Sequence, residues 1–170
     1  MALLTEILKL TLFPAMMAFA ASSDFLTMTI ANRVSLILVG GFVLVAVLSG
    51  TSAADFLSHV AAAAAVLVIV FVFFARGWIG GGDAKLAAAA SLWLGFAHLA
   101  DFFLYTSILG GVLTLTIIRF RCVSLPRVFV GRQWAERLHR ADSGVPYGIA
   151  LSVAALIVYP QTEWMMAIGR

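Results

Sequence analysis

Two aspartates stand out by what surrounds them. Asp83 follows Gly80-Gly81-Gly82 and precedes Ala84-Lys85-Leu86, whereas Asp24 follows Ser22-Ser23 at the end of the first apolar run. Each marks a boundary between apolar and polar sequence, in a chain with only eight acids. Two carboxylates brought together share one proton, because like charges about 3 Å apart cannot both ionise. The ionised member takes a proton from water and the protonated member polarises a carbonyl, which is the chemistry of an aspartic peptidase. Each residue alone also has a plainer reading. Asp83 suits the cap or first turn of a helix opening at Ala84, where a capping carboxylate contributes about 1 kcal/mol. Asp24 suits an interfacial carboxylate that ends its helix. Ionisable residues within spanning segments are costly and usually face the bundle interior. If Phe25–Ile30 prolongs the first helix, Asp24 lies just below the surface.

Gly80 and Gly82 are expected to allow the loop conformation that brings Asp83 toward Asp24, since glycine permits positive φ and close backbone approach. Lys85 lies two residues beyond Asp83, about 200° around a helix. It reads as a contact for an acidic group of a substrate or for lipid phosphate, or else as a membrane anchor. Asn32 and Arg33 share that contact reading, and Asn32 fits a turn equally well. The three histidines, His59, His98 and His139, fall at separate segment ends, and Cys122 is the only cysteine. No metal site, thiolate cluster, internal disulfide or cofactor is expected from this set.

The elements that must position these residues are apolar. The chain is 63% hydrophobic and 11% charged, with a mean hydropathy of +1.07, against about 25% charged residues in soluble domains. This predicts an all-α, polytopic membrane bundle formed by residues 1–170 as a single domain. Six spanning helices are expected, at Ile7–Ala21, Val34–Ser49, Val60–Ala75, Ala84–Leu99, Phe102–Ile118 and Tyr147–Met166. The runs are continuous and not alternating, which disfavours a barrel. Ala18-Phe19-Ala20 resembles a signal-peptide cleavage site, but Glu6 and Lys9 leave the preceding segment without net positive charge and Pro14 interrupts the run.

Arg33, Arg76, Lys85, Arg119, Arg121, Arg127, Arg132, Arg137 and Arg140 all follow the first, third and fifth runs, while Lys9 and Arg170 lie on the other side. The positive-inside rule therefore places both termini outside the cytoplasm and both aspartates at the cytoplasmic face. Nucleic acid is not an expected partner at a net charge of +3. The polar stretch 120–143 reads either as a solvated loop or as an interfacial amphipathic helix. In the helical reading Leu125, Val128, Trp134 and Leu138 form one face and arginines the other.

Gly80-Gly81-Gly82-Asp83-Ala84-Lys85-Leu86-Ala87-Ala88-Ala89 closely resembles the Gly-x-Gly-Asp-x-Lys-Leu-x-Ala-Ala signature of type IV prepilin peptidases, and the match continues through Leu92-Trp93-Leu94-Gly95. Asp24 with Ile30-Ala31-Asn32-Arg33 resembles the family's first aspartate and its downstream Ile-Pro-Asn, with Ala31 in place of the proline. Val145-Pro146-Tyr147-Gly148-Ile149-Ala150 is similar to the Pro-Phe-Gly segment that opens the family's last helix. The resemblance implies Asp24 and Asp83 as a catalytic pair that removes basic leaders from prepilins at the cytoplasmic face of the bacterial inner membrane. Cleavage follows a glycine and leaves the apolar helix of the mature pilin in the bilayer. Prepilin, the lipid bilayer and the pilus assembly machinery are the implied partners. The chain has neither the cytoplasmic domain nor the paired cysteines of the larger, methylating members. It resembles the short branch associated with Flp-type tight-adherence pili, which implies peptidase activity without methyl transfer.

Two other readings fit paired acids. One is a different Gly-x-Gly-Asp intramembrane protease, such as a preflagellin peptidase or a signal-peptide peptidase relative. The other is a transporter or export subunit that binds a proton or cation at Asp24 and Asp83. The Lys-Leu extension favours the prepilin reading, and no inverted repeat supports the transporter.

Overall fold

The computed structural model describes residues 2–166; Arg170, assigned above to the basic-poor side, lies outside them. Among the described residues every regular element is a helix. The long or apolar helices are α1 (Ala2–Thr27), α2 (Asn32–Leu48), α3 (Ala53–Ala75), α4 (Gly81–Leu94), α5 (Leu99–Arg121) and, after the short α6 (Gln133–His139), α7 (Tyr147–Val158); the short α8 (Glu163–Met166) follows. Three stretches are long and apolar enough to cross a membrane: Leu3–Thr27, Ala53–Ala75 and Phe96–Arg121. Asn32–Leu48 and Tyr147–Gln161 are apolar but shorter.

The helix order matches the expected one, but several ends differ. α1 continues past Ala21 to Thr27, and Met28 then turns the chain with φ 53. Asp24 is thereby held inside a helix. α4 stops at Leu94, five residues before the expected Leu99, because Gly95 adopts φ 67 and Phe96–His98 tighten into a 3-10 turn. α7 stops at Val158, where a second 3-10 turn, Tyr159–Gln161, carries Pro160 and precedes α8. The 120–143 stretch is neither one helix nor one loop: it holds a 3-10 turn at Arg127–Phe129 and the two-turn α6. Val128 lies in the 3-10 turn and Trp134 and Leu138 in α6, so the four residues of the expected apolar face do not share the face of one helix.

α4 sits at the centre, packed against α3, α2 and α7, while α1 packs on α7 and α2 and α5 packs on α7. Its sequence explains the position. Ala87, Ala88, Ala89 and Ala90 are all buried, and small side chains let neighbouring helices approach closely. The Leu94 end of α4 is fixed by aromatic side chains. Trp93 donates its indole N–H to the Leu38 carbonyl (2.9 Å), Trp164 donates to the Trp93 carbonyl (2.9 Å), and the Tyr159 hydroxyl donates to the Lys9 carbonyl (2.9 Å). Among the described residues the single ion pair is Arg140–Asp142, both well exposed, and such pairs contribute little. The bundle is therefore held by packing and by hydrogen bonds to the backbone.

Candidate active site

Asp24 lies one turn before the end of α1 and is only 4% exposed. Its carboxylate meets the N-terminus of α7. The Gly148 N–H donates to Asp24 Oδ2 at 2.8 Å, and the Ile149 N–H also interacts with the carboxylate. The first N–H groups of a helix have no partner within it, and Pro146, the residue preceding α7, offers no side-chain cap. Asp24 supplies that cap from another helix, where the helix dipole favours a negative group. The contact needs glycine at 148: a Cβ there would stand 2.8 Å from Asp24 Oδ2 and 3.1 Å from its Cγ, and would also meet Ile30.

Asp83 occupies the third position of α4, in the first turn and not at the cap. Its carboxylate turns back to the backbone of Gly80, the capping position, as the returning half of a capping box does. Gly80 has φ −71 and Gly82 lies within the helix, so neither uses the left-handed region. Their use is clearance. A Cβ at Gly80 would stand 2.9 Å from Asp83 Oδ2, and one at Gly82 would stand 3.2 Å from the Cβ of Ile30. Ile30, in the turn after α1, thus contacts both Gly82 and Gly148. Around it the Asp24 and Asp83 carboxylates come within electrostatic reach of each other. Both acids end up at helix N-termini, with Ile30 and three glycines setting the spacing.

Lys85 is exposed and donates from Nζ to Asn32 Oδ1 at 2.9 Å, linking α4 to the first residue of α2. Arg33 is exposed, and its side chain makes no hydrogen bond or ion pair among the described residues. Ala31, where the resembling motif has proline, keeps a proline-like φ of −66.

Several contributors had no clear sequence signal. Arg137 donates to the Leu26 carbonyl (3.0 Å), and Trp134 stacks on Phe25 (5.1 Å between centroids), so α6 lies against the end of α1 next to Asp24. Arg121 donates to the carbonyls of Leu138, Ser143 and Gly144, each at 2.9 Å, and so ties down the segment leading into α7. These arginines read in sequence as free basic charge. Gly148 was visible only through the segment resembling Pro-Phe-Gly. The histidines stay apart, His59 Nδ1 against the Leu92 carbonyl (2.8 Å) and His139 Nε2 against that of Val123 (2.7 Å). Among the described residues no three His, Cys, Asp or Glu side chains gather into a metal-binding group.

The bundle thus brings two acids, one at the N-terminus of α4 and one against the N-terminus of α7, within electrostatic reach of each other. The model of the type IV leader peptidase family matches residues 11–115, which include both aspartates and Lys85. The chain belongs to that family and is a membrane peptidase. Searches of curated proteins and of solved structures return no match.

Proposed function

We propose that the protein is an aspartic endopeptidase that removes leader peptides from Flp-type prepilins, with Asp24 and Asp83 as the catalytic pair. The observation that carries this reading is the placement of Asp24. It is a buried carboxylate held by the Gly148 N–H and within electrostatic reach of Asp83, and among the described residues no cation pairs with either. A purely structural acid at this depth is ordinarily paired or neutralised. Here one acid neighbours another, as sharing a proton requires.

In the proposed reaction the pair binds water. The water oxygen bonds to the scissile carbonyl carbon as its proton passes to the ionised carboxylate. The protonated carboxyl donates to the carbonyl oxygen, giving a tetrahedral diol. Collapse of the diol breaks the C–N bond, the new carboxyl returns a proton to the pair, and the departing amine takes the proton received from water. No metal enters the cycle.

The distribution of arginines supports the cytoplasmic face of the inner membrane for the pair and the opposite side for both termini. The lone Cys122 supports hydrolysis without methyl transfer by these 170 residues.

The test uses a prepilin-like probe with a basic leader, a glycine and an apolar helix, incubated with the protein in membranes. Mass spectrometry of the products should show one cut directly after the glycine, insensitive to EDTA. The new N-terminus should stay unmethylated when S-adenosylmethionine is present. An uncut probe, or a cut that EDTA abolishes, contradicts the proposal.

A further inference from the structure

A groove of about 590 Å³ runs between α2 and α3 with α4 as its floor. α3 and α2 each pack on α4 but make no extended contact with one another, which leaves the groove open at the side. Its α2 wall runs from Asn32 to Val43, about 16 Å at 1.5 Å per residue, or roughly half of a ~30 Å hydrocarbon core. The middle is lined by Ala63 and Ala64 from α3 and by Ala88 and Ala89 from α4. Polar side chains gather at one end, where Lys85 reaches Asn32. No acidic side chain lines the groove, and Lys85 has no carboxylate partner among the described residues.

We propose that this groove seats the apolar helix of the substrate, and that Lys85 pairs with a carboxylate in the first turn of that helix. The inference rests on the leader-peptidase reading above. Alanines on the α3 wall and the α4 floor let a guest helix bring its backbone close on that side, which is how helices associate within a bilayer, and Leu36, Val39 and Val43 of the α2 wall offer apolar surface to its side chains. A flexible acyl chain has no such requirement. Lys85, bonded to the neutral Asn32 and to no carboxylate among the described residues, complements an anionic group at the mouth, and the N-terminal turn of a helix is where its dipole favours a carboxylate. The mouth lies at the same end of α4 as Asp83. Lys85 and Asp83 are two residues apart on α4 but on different faces, so about three extended residues, roughly 10 Å, carry the chain from the groove across the start of α4 to the aspartates. The scissile bond would accordingly lie a few residues before the guest helix.

A photoreactive residue placed at Val39 or at Leu67, both on the groove wall, should capture the apolar helix of the prepilin-like probe. The same residue at Leu104, exposed on α5, should not. With a probe carrying glutamate in the first helical turn, Lys85→Gln should raise KM about tenfold and leave kcat within twofold. With glutamine in the probe, Lys85→Gln should leave KM unchanged. Ala88→Leu, which narrows the floor, should raise KM for both probes. Capture of lipid alone at Val39 and Leu67 overturns the proposal. So does capture of the probe at Thr116, in the separate 250 Å³ pocket between α5 and α6, or a KM that ignores the probe's charge. Probe cleavage without capture in the groove leaves the peptidase reading standing and removes this one. Capture without cleavage does the reverse.

Discussion

At the Leu94 end of α4, Trp93, Trp164, Tyr159, Phe13 and Phe42 form one cluster with ring centroids 4.4–6.4 Å apart, and both indoles and the Tyr159 hydroxyl bond to backbone carbonyls. At the Gly81 end the close contacts are made by backbone: the N–H groups of α7 on Asp24, and Gly80, Gly82 and Gly148 giving room to Asp83, Ile30 and Asp24. One helix thus has one end fixed by bulky side chains and another defined by their absence. The difference assigns the two ends different sensitivities. Loss of a ring at the aromatic end costs packing, which lowers stability and leaves the carboxylates in place. Addition of a single carbon at the glycine end moves a carboxylate while most of the packing survives.

Short of removing a carboxylate, the largest effect is expected at Gly148. Gly148→Val forces a side chain into Asp24 and Ile30, and probe cleavage should fall on the order of 100-fold or more, since displacing a reacting group by about 1 Å has that cost. The protein should still insert and run as a folded band. Near-normal cleavage would show that the end of α1 can shift freely, and the contrast between the ends would collapse. Gly80→Ala is the milder version, with its Cβ 2.9 Å from Asp83 Oδ2; a roughly tenfold fall in kcat is expected. At the other end, Trp93→Phe removes the hydrogen bond to the Leu38 carbonyl. It should destabilise the protein by about 1–3 kcal/mol in SDS unfolding, with the cleavage rate at 25 °C within twofold. A large activity loss without a stability loss would merge the two ends into one unit. The smallest effect is expected at Ala31→Pro. Ala31 already has φ −66, and its N–H has no partner among the described residues, so proline should stabilise by about 0.4–1 kcal/mol with cleavage retained.

Composition and the apolar runs made the helical bundle and its helix order legible, because continuous apolar sequence admits few alternatives. The two aspartates were legible from their flanks, Asp83 most of all from its glycines. The end of α4 was not, since Phe96-Ala97-His98-Leu99 continues the apolar pattern and the break depends on the positive φ of Gly95. Nor was the partner of Asp24, because Gly148 lies 124 residues away and contributes only its backbone N–H. The glycines before Asp83 suggested an unusual loop conformation, but the demand they meet is steric and depends on Ile30, from another segment. Arg121 and Arg137 entered the sequence reading only as positive charge on the cytoplasmic side, because charge counting cannot distinguish a guanidinium facing solvent or phosphate from one that binds carbonyls.

The most direct test of the account is probe cleavage by Asp24→Asn, Asp83→Asn and the double variant in membranes, with insertion checked for each. Residues that share one proton act as a unit, and their losses do not add. Each single change should drop cleavage to the same floor, and the double variant should fall no further. A single variant that cuts at the wild-type rate would make its aspartate a helix cap alone and contradict the paired mechanism.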